Sequence, residues 1–251
     1  MNPKSHTLFH FTSSLDSLMK IIQVGFWPRY CLEDFRWYNP QLENVAYPMV
    51  CFCDIPLTRI IEHTSFYGRF GIGMKREWAI QSGLNPVMYL TEQSPLKGKV
   101  LNLARLSQPG EPKFVDESAK ATHIDSLLNL ISMIKPLDGY MEIGSPPYLT
   151  AKDFYLENEW RFVPRLSEGR ICIPSQKFRS ERDEYNSYTY ENCLLKFTLD
   201  DIEYIFVEDD RAIQSILDFL NSMAASGKYL PSQMDVLKTK LFTLSKLSRD
   251  F

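Results

Sequence analysis

The stretch Leu8-Phe9-His10-Phe11-Thr12-Ser13 decides the fold, because it joins a short aromatic strand to a helix that begins directly after it. We expect the strand over residues 7–11, and Ser13 or Ser14 is placed to cap the helix. Four apolar side chains recur on one face of that helix: Leu15, Leu18, Met19 and Ile22. Gly25 is a typical residue to end it. This unit holds the His10 imidazole at the edge of a sheet, where a binding site needs a fixed polar group.

The remaining segments mix strands and helices. Further strands are predicted at 49–53, 70–74, 87–90, 159–163, 194–198 and 202–207. Helices are predicted at about 56–66, 75–82, 116–135, 210–223 and 231–247. Residues 26–46 are expected to be a loop with short pieces of structure, 136–152 a loop, and 165–192 a polar insertion or hairpin. Because no regular β-α-β repeat emerges, the pattern favours an α+β fold over a doubly wound sheet.

Length and composition favour one soluble domain over residues 1–251. The chain is 44% hydrophobic with a net charge of -3, so it can build a large core and has no basic tail for nonspecific nucleic-acid binding. No apolar run is long enough to span a membrane, and residues 1–6 lack the apolar run of a secretory signal. Five scattered cysteines indicate a reducing, cytoplasmic setting. Cys51 and Cys53 have no second cysteine pair, so no metal site is predicted.

Several common catalytic motifs are absent. The sequence has no P-loop, no H-E-x-x-H and no G-x-S-x-G, which removes the commonest NTPase, zinc-protease and hydrolase interpretations. Gly68, Gly71 and Gly73 have the reverse of the dinucleotide-binding spacing, so a Rossmann site is not favoured either.

Four short motifs carry a family resemblance. They are His10-Phe11-Thr12-Ser13, Cys53-Asp54-Ile55-Pro56-Leu57, Tyr67-Gly68-Arg69-Phe70-Gly71-Ile72-Gly73 and Glu159-Trp160-Arg161. In combination, over about residues 5–210, they resemble bacterial abortive-infection (phage resistance) proteins of the AbiGi type. The first motif is also similar to the first motif of the ADP-ribosyltransferase superfamily, and Glu159 lies where that superfamily has its catalytic glutamate.

The second resemblance implies a mixed, largely antiparallel split sheet with flanking helices and an NAD-dependent ADP-ribosyltransferase activity in anti-phage defence. His10 would hold the adenosine-side ribose of NAD, Thr12 would contact an amide-bearing part of the ligand, and Tyr67 would stack on the nicotinamide. Glu159 would stabilise the positive charge that develops on the ribose, since a fixed anion binds that transition state better than the ground state. Glu157, on the same strand face, would orient the attacking nucleophile of a protein or nucleic-acid acceptor.

Other interpretations remain open beside this one. His10 is equally well explained as a partly buried histidine that bonds a backbone carbonyl, and Glu157 and Glu159 as a strand face paired with Arg161. Phe11 stands where the superfamily has a small residue. A non-catalytic antitoxin or regulatory partner of a toxin is therefore the alternative, since abortive-infection proteins of this type resemble components of paired systems. A phosphotransferase acting on RNA 2'-phosphate is a third interpretation.

Overall fold

The computed structural model describes residues 6–38, 44–106, 114, 116–143, 148–166, 170–227 and 229–250. The strands are β1 (Thr7–Thr12), β2 (Arg29–Asp34), β3 (Asn44–Cys53), β4 (Phe70–Lys75), β5 (Asn85–Pro86), β6 (Met88–Leu90), β7 (Ile134–Pro136), β8 (Asp138–Ile143), β9 (Tyr148–Asp153), β10 (Glu159–Phe162), β11 (Ile173–Pro174), β12 (Ile202–Val207) and β13 (Leu241–Thr243). The helices are α1 (Leu15–Val24), α2 (Ile60–Tyr67), α3 (Arg76–Gln81), α4 (Pro95–Arg105), α5 (Glu117–Ser132), α6 (Ser175–Asn192), α7 (Asp210–Ala225), α8 (Pro231–Lys238) and α9 (Leu244–Asp250). Short 3₁₀ turns lie at Leu57–Arg59, Phe154–Glu157 and Leu199–Asp201.

One large sheet organises the described residues. Its strand order is β13-β12-β4-β1-β3-β10-β5, and β2 and β11 pair with β3 as well. Every pairing in it is antiparallel except that of β12 with β13. The predicted α+β class and the largely antiparallel sheet are confirmed.

Strand β1 is buried on both faces, which explains its unbroken apolar character. Leu8 points into one core cluster, while Phe9 and Phe11 point into another on the opposite face. Across the strand pair, Phe11 lies opposite Gly71 and Phe9 opposite Gly73. A Cβ atom at Gly71 would come within 2.5 Å of the Phe11 ring, so glycine makes room for the aromatic side chain.

Two segments predicted as loops contain strands. The segment 26–46 contains β2 and the start of β3, and 136–152 contains β8 and most of β9. The loop at 136–152 was wrong, and the short pieces of structure expected within 26–46 include β2, which was not identified as a strand. These strands depend on a paired neighbour more than on hydropathic alternation. None of the helices in the described ranges has the length and hydropathy needed to cross a membrane.

Three other predicted elements differ in the structure. The segment 165–192, expected to be a polar insertion or hairpin, contains the helix α6, which buries Phe178 and Tyr185 in a cluster with Tyr30 of β2. The helix expected at 231–247 is divided into α8, β13 and α9, because β13 pairs with β12. The expected strand at 194–198 provides only a bridge between Phe26 and Leu195. The strand at 202–207 and the helices at 15–24 and 210–225 agree with the sequence patterns.

Candidate functional site

A cleft of about 1150 Å³ lies beside β1 and β3. All five residues singled out from the sequence line it: His10 and Thr12 of β1, Tyr67 of α2, Glu157 of the 3₁₀ turn Phe154–Glu157, and Glu159 at the start of β10. The structure thus brings together residues that are up to 149 positions apart in the chain.

The backbone between Glu157 and Glu159 differs from the continuous strand that the sequence predicted. Glu157 ends a 3₁₀ turn, and Asn158 has a left-handed backbone with φ 44° and ψ 57°. Only Glu159 belongs to the strand β10. The prediction that both lie on one strand face was therefore wrong, because a left-handed residue interrupts the alternation between them.

Both carboxylates bind the same ammonium group. The Nζ atom of Lys135 lies 2.6 Å from Oε2 of Glu159 and 3.2 Å from Oε2 of Glu157. The Nε atom of Arg161 donates to Oε1 of Glu159 at 2.6 Å, and its terminal NH2 group pairs with Glu33 at 2.7 Å. Glu159 is thus held between two cations in the interior of the protein.

The second oxygen of Glu157 binds residues of α2 and β9. It accepts a hydrogen bond from the Tyr67 hydroxyl and forms an ion pair with Lys152 of β9. The Lys152 ammonium group also lies 2.9 Å from the Tyr67 hydroxyl and 4.0 Å from the centre of its ring. His63 stacks on the same ring at 4.5 Å. Tyr67 is therefore engaged by protein partners through both its hydroxyl and its ring.

We call these six charged residues the ion network: Glu33, Lys135, Lys152, Glu157, Glu159 and Arg161. Three carboxylates face three cations, so their formal charges balance. Burial by itself raises the pKa of Glu159, but Arg161 and Lys135 outweigh it and hold the pKa well below its usual value. Lys135 and Lys152 lower the pKa of Glu157 in the same way. Both carboxylates are ionised at neutral pH.

His10 lines the cleft among aromatic rings. Its Nδ1 atom is 2.8 Å from the carbonyl oxygen of Cys51, which can only accept, so Nδ1 carries the proton. The rings of Phe26 and Phe52 lie 5.3 and 5.5 Å away. Burial lowers the pKa of His10, so the imidazole is neutral at pH 7. This is the arrangement of a histidine that bonds a backbone carbonyl, and binding of ribose by its Nε2 atom stays a prediction.

Sequence reasoning missed the cations of the ion network apart from Arg161. Lys135 follows the apolar helix α5 in the short strand β7, and Lys152 lies in a segment that was predicted as a loop. A charged residue between Ile134 and Pro136 at the end of an apolar run was the one available signal for Lys135. Within the described ranges, no group of three or more His, Cys, Asp or Glu side chains is arranged to hold a metal ion.

Comparisons with known proteins identify the family. A family model described as "Putative abortive phage resistance protein AbiGi, antitoxin" matches residues 24–208. The chain belongs to the AbiGi family. It is also 27% identical to the abortive phage resistance protein AbiGi of Lactococcus lactis subsp. cremoris, over 91% of this chain and 100% of that protein. No solved structure matches.

These findings confirm one resemblance and correct the function predicted from the other. The resemblance to AbiGi-type proteins is confirmed, whereas no comparison supports a resemblance to ADP-ribosyltransferases. The predicted function as an NAD-dependent ADP-ribosyltransferase was wrong, because the family description is that of an antitoxin, which was the stated alternative. The ligand roles of His10, Thr12 and Tyr67 stay predictions, as does NAD itself.

Proposed function

We propose that this protein is the antitoxin of an abortive-infection pair, and that it restrains a cognate toxin by binding it and not by modifying it. The observation that carries the proposal is the match of residues 24–208 to a family described as an antitoxin. That match includes Glu157 and Glu159, so the two residues expected to act in catalysis need an explanation as parts of a binding protein.

The ion network supplies that explanation. A carboxylate that stabilises a developing cation must face the reacting atom of a substrate. Both oxygens of Glu159 face Arg161 and Lys135 instead, at 2.6 to 3.3 Å. Turning Glu159 toward a substrate would remove one of the two carboxylates that each of these buried cations binds, leaving Lys135 with Glu157 and Arg161 with Glu33, and this loss is costly in the interior. The contacts of Glu159 therefore support a structural role.

The same contacts hold distant segments of the chain in one arrangement. Glu159 connects β10 to β7 through Lys135, and Arg161 connects β10 to β2 through Glu33. Glu157 contacts β9 through Lys152 and α2 through Tyr67. A pre-organised surface loses little conformational entropy on association, so a rigid scaffold of this kind suits a protein that binds a partner tightly.

Stoichiometry separates a binding antitoxin from an enzyme. Purified toxin from the same locus is titrated with this protein, with and without NAD, and the remaining toxin activity is measured. We expect the activity to fall linearly and to reach zero at about one antitoxin per toxin binding site, at once and independently of NAD.

The matched variant in this titration is Glu159→Gln, quantified by the fraction that folds. Because the proposal gives Glu159 no catalytic role, each folded molecule of the variant is expected to neutralise toxin as well as the wild type. Inactivation at far below equimolar protein that progresses with time, needs NAD and is lost in Glu159→Gln would contradict the proposal.

A further inference from the structure

Strands β8 and β9 form a two-stranded hairpin outside the large sheet. Directly opposite residues of such a pair share a face, and here Asp138 lies opposite Asp153 and Tyr140 opposite Ala151. Tyr140 is 59% exposed, and Tyr155, which follows the hairpin directly, is 58% exposed. We call this group, Asp138, Tyr140, Ala151, Asp153 and Tyr155, the hairpin surface.

The opposite face of the hairpin is fixed to the protein. Gly139 and Lys152 are paired across the strands, and Lys152 binds Glu157 in the ion network. A Cβ atom at Gly139 would lie 3.0 Å from the ring of Phe154, so the backbone packs closely there. The hairpin surface is consequently presented to solvent by an anchored element.

Within the described residues no cation balances the charge of the hairpin surface, although the Asp153 carboxylate accepts a hydrogen bond from the backbone N–H of Tyr155. Like charges directly opposite each other destabilise an antiparallel pair. The lysine of the hairpin, Lys152, points to the other face and is occupied by Glu157. Neither Asp138 nor Asp153 forms an ion pair with any other residue in the described part of the chain. A cation from outside the chain would relieve this repulsion.

The tyrosines favour a protein as the source of that cation. Tyrosine is enriched in protein interfaces because its ring offers apolar area and its hydroxyl a hydrogen bond. An arginine guanidinium group can stack on such a ring and bind a neighbouring carboxylate at the same time. Tyr140 and Asp138, two residues apart on one strand face, offer this combination. Tyr155 lies beyond the strand in the 3₁₀ turn Phe154–Glu157, where its ring packs on that of Tyr89.

We propose that the hairpin surface docks a basic, arginine- or lysine-bearing segment of the toxin. This inference rests on the proposed function and adds where the toxin binds and with which chemistry. Nucleic acid is disfavoured as the occupant, because its phosphates would meet the two aspartates.

Binding kinetics with purified toxin from the same locus test the proposal. The double variant Asp138→Asn/Asp153→Asn keeps the size of both side chains, and asparagine keeps the ability to accept the Tyr155 backbone N–H. We expect it to slow association by about tenfold at low salt and to flatten the salt dependence of the rate. The control Asp183→Asn/Glu184→Gln removes the same charge from exposed positions on α6 and should change the rate less than about twofold.

The tyrosines allow a second matched pair. Tyr148 is 60% exposed but lies opposite Ile143, on the other hairpin face from Tyr140. Tyr140→Ala is expected to weaken toxin binding by about 30-fold, the size of an interface hot spot, and Tyr148→Ala to leave it within about twofold. Circular dichroism of each variant confirms that the fold is retained.

The possible outcomes distinguish failure of this inference from failure of the proposed antitoxin function. If the wild type binds and neutralises toxin but the aspartate and Tyr140 variants bind equally well, the hairpin surface is the wrong site and the antitoxin function stands. If the wild type does not bind the toxin at all, the proposed function fails and this inference fails with it. Self-association of the chain that is lost in Tyr140→Ala would assign the surface to a second copy and overturn the inference.

Discussion

The carboxylates of the ion network and those of the hairpin surface experience opposite electrostatic conditions. Glu157 and Glu159 are buried, and each binds two cations. Asp138 and Asp153 are exposed and face each other across a strand pair without a cation between them. Burial makes an uncompensated charge very costly, whereas water screens one at the surface. A chain can therefore leave charge uncompensated only on a surface, where an external partner can supply the missing cation.

The largest expected effect comes from breaking the ion network at Arg161. This side chain is 1% exposed and binds Glu159, Glu33 and the carbonyl oxygen of Ser132. Arg161→Met leaves buried carboxylate charge uncompensated, so we expect the free energy of unfolding to fall by about 3–5 kcal/mol. Urea denaturation at pH 7 measures this difference.

The control for that measurement is Arg211→Met. Arg211 is 90% exposed and pairs with Asp209 at the surface, so its removal should cost less than about 1 kcal/mol. Similar costs for Arg161→Met and Arg211→Met would contradict the contrast between buried and exposed charge.

A smaller effect is expected from protonating the network. The pKa values of Glu157 and Glu159 lie below the usual 4.5, so the folded state binds fewer protons than the unfolded state. Their stabilisation is fully present above about pH 5 and is lost as the pH falls through and below 4.5. Glu157→Gln removes one of these groups, so the stability difference between wild type and variant should narrow below pH 4.5, by up to about 1.4 kcal/mol for each pH unit.

Urea denaturation of both proteins at pH 7, 5, 4 and 3 measures that narrowing. Subtracting the variant removes the contribution of titrating groups that do not interact with Glu157. A stability difference that stays constant from pH 7 to pH 3 would show that Glu157 gains nothing from its cations.

Much of the fold could be predicted from local patterns. The strand and helix at the N-terminus, the glycines of β4 and the helix α7 carry signals within ten or so residues. Strands β2, β8 and β9 could not be found in this way, because their stability comes from a partner strand and, for β9, from Lys152. A lysine that points inward interrupts the apolar pattern of a strand. Hydropathy then predicts a loop at that segment.

Local sequence patterns predicted less of the candidate site than of the fold. His10, Tyr67 and Glu159 line one cleft in the structure, and their predicted roles there stay predictions. Their contacts were not predictable, since the partners Lys135 and Glu33 are far away in sequence and belong to no motif. The charge partners decide whether a carboxylate can act on a substrate. The function inferred for Glu159 therefore depended on its ion-pair partners, which the sequence does not reveal.

The smallest expected effect tests the exposed carboxylates of the hairpin surface. Asp138→Asn removes one of two opposed carboxylates, so the isolated protein should become more stable by a few tenths of a kcal/mol, since like charges opposite each other in a strand pair cost about 0.2–1 kcal/mol. The gain should shrink at high salt, where the repulsion is screened. Thermal unfolding at low and high salt measures it, with Asp183→Asn on α6 as the control. A loss of stability in Asp138→Asn at low salt would mean that Asp138 is already compensated within the chain, and the hairpin surface would then have no unmet charge to offer a toxin.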